Sequence, residues 1–316
     1  MIRPNTVKIE KTAYYDSYLK DLQNFSLTPI ELESFLDTYV IGQKQAKGII
    51  CTKICTHFHK IKTYYLNYSK RGQIEFLKNN ILLIGPTGVG KTYMIKLISK
   101  KLGVPFVKGD ATKFSETGYV GGDVEDLIRE LYWVSRESIS LAQFGIVFLD
   151  EIDKIASPVE TIGPDISRSG VQRALLKLLE ETEVEIRAQQ DNIPYMDESS
   201  NKKRKKLILN TKFVLFIGSG AFQGLDELIK KRLKRSNMGF LSELDGDPEA
   251  YVNYLKFVTP EDLVKYGFER EFVGRFPVIV VCDPLKEEEL YQILANPNGH
   301  IILNKKRDFK VYGIDL

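Results

Sequence analysis

Long apolar runs are missing from this chain of 316 residues. The strongest, "ILLIG" and "FVLFIG", fall far short of the roughly 20 residues that cross a bilayer as a helix. Cysteine is scarce too. Cys51, Cys55 and Cys282 are all there is, too few for a disulfide framework and in keeping with a reducing compartment. Neither sign of charge dominates: 45 Lys and Arg stand against 42 Asp and Glu, a balance that does not point to nucleic acid. The opening "MIRPNTVKIEK" lacks the apolar centre of a secretory signal. The expectation is a soluble, cytoplasmic protein that engages neither membrane nor nucleic acid.

What is present is material for a core. Hydrophobic residues make up 43% of the chain, enough to bury more than one domain. Residues 1–27 are polar and aromatic without periodicity, which predicts an arm. Thr28, Pro29 and Glu31 then give a cap, a first-turn proline and the third-position acid of a capping box. A long helix is expected from about Gln43 to Tyr65. Beyond it, "NILLIG", "VPFVK", "GIVFLD", "KFVLFIG" and "VIVVC" alternate with helical patterns, the mark of a parallel sheet covered on both faces. The fold class is therefore α/β, with a large domain over 28–282. "PLKEEELYQIL" opens a smaller helical one over 283–316. The only low-complexity patch is "NKKRKK".

Two motifs carry chemistry. "GPTGVGKT", Gly85, Pro86, Thr87, Gly88, Val89, Gly90, Lys91 and Thr92, follows an apolar strand and precedes a helical pattern that continues with Tyr93. Glycines at this spacing let backbone N–H groups close around phosphates at a helix N-terminus. Lys91 would neutralise the β- and γ-phosphates, and Thr92 would place a hydroxyl on Mg2+. "GIVFLDEID" delivers Asp150 and Glu151 to the C-terminal edge of a buried strand, where ligands of open α/β sheets bind. Asp150 would hold the magnesium, and Glu151 would orient the attacking water. Together they predict an ATPase. Arg275, in the turn "VGRFPV", reads either as an arginine finger for a neighbouring subunit's γ-phosphate or as an intrachain salt bridge.

"YVIGQKQAK", "ATKFSETGYVGGDVE", "SGVQRALLKLLE" and "EREFVGRFPV", with the two ATP motifs between them, resemble the AAA+ P-loop unfoldases of the ClpX/HslU group over residues 28–316. The short step between Gly121 and the Asp150 strand is closer to ClpX, and a divergent ClpX-like member is expected. The resemblance implies a homo-hexameric ring that hydrolyses ATP to unfold and thread tagged or unfolded proteins. It places Gly118, Tyr119, Val120 and Gly121 on a loop that grips substrate in the pore, and residues around Pro164 to Ser169 on a weaker second loop. Tyr39, Val40 and Ile41 would flank adenine, and Ser219 would stand near the sensor-1 position. Met238, Gly239 and Phe240 would dock a ClpP-type peptidase.

Departures from that pattern matter as well. The paired Cys-x-x-Cys zinc domain of the group has no counterpart, so zinc is not expected. "CTKICTHFHK" falls on the long helix, where Cys51 and Cys55 share a face and His57 points elsewhere. The sequence ends at "KVYGIDL", ahead of the sensor-2 arginine that the group carries, and continuation of the polypeptide beyond Leu316 is the expected explanation. Two other functions stay open: a remodelling chaperone without a protease, and a nucleotide-gated scaffold with impaired hydrolysis.

Overall fold

Five of the short apolar runs pair into one parallel sheet in the computed structural model, which describes residues 25–66, 76–115, 122–157, 166–186, 207–236, 253–297 and 299–315. Its strands are β1 (Ile81–Ile84), β2 (Phe106–Asp110), β3 (Ile146–Asp150), β6 (Leu215–Gly220) and β7 (Val278–Val281). They lie in the order β2-β3-β6-β1-β7. A separate antiparallel pair, β4 (Glu183–Ile186) with β5 (Leu207–Asn210), sets Val184 opposite Leu209.

Parallel neighbours need crossovers, and the crossovers cover both faces with helices. That is why the strands read as unbroken apolar runs. Successive residues of β1 face opposite ways. Ile81 and Leu83 join Phe148 and Ile217 in a layer beneath α1 (Pro29–Asp37), α2 (Lys44–Leu66) and α3 (Lys91–Leu102). Leu82 and Ile84 join Val147 and Phe216 on the other face, under α4 (Asp126–Val134) and α6 (Ile166–Leu179). A short turn of helix, α5 (Ile139–Ala142), leads into β3. After β6 come α7 (Leu225–Ser236), α8 (Pro260–Tyr266) and α9 (Arg270–Gly274), and after β7 come α10 (Glu287–Ala295) and α11 (His300–Val311). Among the described residues no helix is long and apolar enough to cross a membrane.

The predicted cap is in place. The Thr28 N–H donates to Glu31 Oε2 at 2.8 Å, and the Glu31 N–H donates to Thr28 Oγ1 at 3.3 Å. The Thr28 N–H, and the Thr28 hydroxyl that donates to the same oxygen at 2.8 Å, hold the Glu31 carboxyl below its ordinary pKa. On α2, Cys51 and Cys55 are buried, and burial raises their thiols to about 12 and about 11. They pack as small apolar groups.

His57 is also fully buried, and its Nε2–H donates to the Phe213 carbonyl at 3.0 Å. Burial pulls its pKa from 6.5 down to about 4, with the Phe213 bond a weaker opposing influence. The folded chain thus keeps His57 neutral where the unfolded chain takes up a proton. Stability is intact above pH 6.5 and falls as pH drops through 6.5 towards about 4. His57→Phe should flatten this part of the acid dependence, read as the urea midpoint of both proteins across that window.

Candidate nucleotide site

The C-terminal ends of β1, β3 and β6 open onto one cleft. At the end of β1 the chain turns at Gly85, whose N–H donates to the Gly220 carbonyl at 3.2 Å. A Cβ there would sit 2.5 Å from the Cys282 carbonyl oxygen, at a φ of +155°. Only glycine fits so close an approach. Gly90, at φ +91°, caps the N-terminus of α3. The first residue of that helix is Lys91, and its Nζ turns back to donate to the carbonyls of Gly85 at 2.5 Å and Pro86 at 2.7 Å. Burial lowers the pKa of this ammonium, while the nearby Cys282, Asp150 and Asp153 act the other way. Gly88, Gly90, Lys91 and Thr92 all line the cleft at this helix start.

The cleft holds about 530 Å³ and is lined by Thr87, Lys91, Thr92, Asp150 and Glu151 among others. The two predicted motifs therefore meet. Glu151 adopts φ +55°, ψ +32°, a left-handed conformation that an acidic side chain rarely takes and that clusters at functional sites. Its N–H donates to Asp150 Oδ1 at 3.1 Å. Against the same loop lies a second, apolar chamber of about 240 Å³, walled by Tyr39, Val40, Ile41, Val89, Tyr93 and Ile293. Gly88, Gly90 and Tyr93 border both. A polar chamber continuous with an apolar one suits a nucleotide, phosphates in the first and base in the second. The Thr92 hydroxyl and the Asp150 carboxylate bring hard oxygen donors of the kind magnesium takes, so the residues fit the expected cofactors.

Residues 77–279 match the family model "AAA domain (Cdc48 subfamily)". The chain is 38% identical over 291 residues to the ATP-dependent Clp protease ATP-binding subunit ClpX of Borrelia duttonii (strain Ly), and equally to that of Borrelia recurrentis (strain A1). Against the Treponema denticola protein of the same name the identity is 38% over 292 residues. These alignments cover 92% of this chain and 65%, 65% and 68% of the respective relatives. The chain is a ClpX-like member of the AAA domain family. It spans just under two-thirds of the length of the two Borrelia proteins.

Sequence reasoning missed several contributors. Lys108, on β2, reaches Asp150 Oδ2 at 2.8 Å. Asp153 is buried beside the cleft and accepts the Phe222 N–H at 3.3 Å. The acid two positions after Glu151 was the available signal. Gln43 clamps Asp283 from both sides, Nε2 donating to its carbonyl at 2.6 Å and Oε1 accepting its N–H at 2.9 Å. Ser219 lies on β6, one position beyond the Leu149–Gly218 pair. It is fully buried, and its hydroxyl has no protein partner.

Arg275 lies elsewhere. It caps α9 just ahead of β7, at the N-terminal edge of the sheet, opposite the edge that carries the phosphate loop. Its guanidinium pairs with Glu180, and its carbonyl accepts Asn80 Nδ2 at 3.0 Å. It does not line the cleft. The expected pore residues Gly118, Tyr119, Val120 and Gly121 and the docking residues Met238, Gly239 and Phe240 lie outside the described residues. So does Pro164 of the second loop, whereas residues 166–169 form the first turn of α6. The stem of the first loop is described. Gly122 bridges to Phe114, and its N–H donates to the Lys113 carbonyl at 2.9 Å.

Lys78 supports the Arg275 corner, donating to the Glu180 carbonyl at 2.7 Å. Burial lowers its pKa from 10.5 to about 7. Between those values the unfolded chain holds a proton that the folded chain has released, so raising pH through the window adds stability. Lys78→Met should remove that gain, giving a shallower rise in denaturation midpoint between pH 7 and 10.5 than the wild type shows.

Proposed function

We propose that this chain is the ATP-hydrolysing part of a ClpX-type unfoldase, which assembles as a hexamer and threads protein substrates towards a ClpP-type peptidase in the cytoplasm. The observation that carries the reading is the meeting of Lys91, Thr92, Asp150 and Glu151 in one cleft beside an apolar chamber. The three relatives named as Clp protease subunits support the assignment to protein turnover.

Each residue has a part. Val40, Ile41 and Tyr93 take the adenine. Backbone N–H groups between Gly85 and Thr92 take the phosphates, and Lys91 exchanges the Gly85 and Pro86 carbonyls for phosphate oxygens. Thr92 and Asp150 would hold magnesium, which when bound supplies the positive charge that offsets the triphosphate. Glu151 orients the attacking water and draws on its proton. Because Arg275 stands at the far edge of its own sheet, it serves the site of the next protomer across a head-to-tail interface. Leaving Glu180 is the condition for that reach. Ser219, adjoining the Asp150 strand, senses the γ-phosphate side.

The substrate-gripping part rests on the loop between Phe114 and Gly122. An aromatic such as Tyr119 makes apolar contact with almost any side chain, which suits a processive motor. Met238, Gly239 and Phe240 are the peptidase-docking segment in this reading, and residues 283–316 begin a small domain joined to the sheet at Asp283.

Two variants test the scheme. Glu151→Gln should cut ATP turnover by roughly 100-fold or more and retain nucleotide binding; undiminished turnover would rule out Glu151 as the hydrolytic residue. Tyr119→Ala should keep ATP turnover while unfolding of a tagged, folded substrate is lost. Unfolding at the wild-type rate in that variant would remove Tyr119 from the pore.

A further inference from the structure

A cation from outside both nucleotide motifs reaches Asp150 from the neighbouring strand. Lys108 stands on β2, where the register sets it beside Phe148 and sets Asp110 beside Asp150. Strand periodicity puts Lys108, Asp110 and Asp150 on one face. Lys108 Nζ lies 2.8 Å from Asp150 Oδ2, and the other carboxylate oxygen accepts the Glu151 N–H at 3.1 Å. Both oxygens of Asp150 are thus engaged within the protein, one of them by a full positive charge.

Asp110 is not an equal rival for the lysine. Its Oδ1 already accepts the Thr112 N–H at 3.0 Å and the Thr112 hydroxyl at 2.6 Å. Asp150, by contrast, shares the cleft with two further carboxylates, Glu151 and Asp153. Lys91, the nearest motif cation, spends its Nζ on the carbonyls of Gly85 and Pro86. Lys154, which also lines the cleft, lies 3.4 Å from Asp153 Oδ2, and the cation in contact with Asp150 itself is Lys108.

We propose that Lys108 is a resident counter-ion of Asp150 that yields Oδ2 when a divalent metal enters with the nucleotide, and so sets how much metal the site demands. The proposal rests on the nucleotide-site reading above. An ammonium in contact with Oδ2 occupies the position a metal or its water would take, and its charge also opposes a second cation nearby. The Lys108 side chain is 48% exposed and that of Asp150 27%. Water therefore screens the pair, which holds Asp150 in place yet releases it at small cost. Lys108 is a positioning residue here; it acts through Asp150.

The test is metal binding rather than turnover. Full-length wild type, Lys108→Met and Lys108→Arg are each saturated with a non-hydrolysable ATP analogue, and Mn2+ is titrated while free Mn2+ is followed by electron paramagnetic resonance. Lys108→Met should lower the half-saturating Mn2+ concentration by about three-fold, the scale of an exposed ion pair. Lys108→Arg, which keeps the charge, should stay at the wild-type value. An unchanged or raised half-saturation in Lys108→Met overturns the proposal, as does a drop of equal size in Lys108→Arg. Nucleotide-dependent Mn2+ binding with no shift removes the role of Lys108 alone. Its absence from the wild type removes the nucleotide-site reading as well.

Discussion

β1 lies between β6 and β7, with Ile84 level with Gly220 on one side and Val281 on the other. The Cys282 N–H donates to the Ile84 carbonyl at 2.8 Å, and the Gly85 N–H reaches Gly220 at 3.2 Å. The chain leaving β1 is therefore gripped by both neighbours at the moment it turns. No side chain fits at Gly85, and the turn it makes aims the start of α3 across the ends of β3 and β6. Lys91 and Thr92 meet Asp150 because of that turn. The phosphate loop is a product of strand pairing as much as of its own glycines.

The same strand links the two edges of the sheet. Asn80, one residue before β1, is buried, accepts the Phe216 N–H at 3.2 Å and donates to the Arg275 carbonyl at 3.0 Å. The buried Asn80 amide and the Phe216 N–H would otherwise be left unpaired in the interior, a cost of about 1–3 kcal/mol apiece. Arg275 is thus fixed by its backbone to the beginning of the strand whose end carries the phosphate loop. Its guanidinium remains free to choose partners, and Glu180 is the one at hand. Half-exposed pairs of this kind bind weakly, which is the property a side chain needs if it serves another site.

Local chemistry was legible in the sequence and register was not. The Thr28 cap, the five strands, the turn at Gly85 and the acids closing β3 depend on residues a few positions apart, and each could be placed from its neighbours. Val40 and Ile41 beside the loop followed from resemblance. Lys108 escaped notice because nothing in "VPFVKGD" says which strand lies alongside; its meaning appears only once Asp110 is level with Asp150. Asp153 received no reading of its own from "GIVFLDEID"; its burial under the Phe222 N–H depends on a loop 69 positions away. The Gln43 clamp joins positions 240 apart, beyond any reading of spacing.

That clamp bears on how base binding and chain geometry are connected. The apolar chamber takes Tyr39, Val40 and Ile41 from the segment between α1 and α2, Val89 and Tyr93 from the phosphate loop and α3, and Leu285 and Ile293 from beyond β7. Gln43 ties the first segment to the third at Asp283, and Asn296 Nδ2 donates to the Thr38 carbonyl at 3.2 Å. Gly42, at φ +70°, turns the chain left-handed beside the Glu289 carboxylate, a conformation that favours glycine. A base seated in this chamber would touch α10, the phosphate loop and the segment between α1 and α2 at once. Its binding energy would then depend on how α10 sits against the phosphate loop, and by reciprocity an occupied chamber would favour one such arrangement over others.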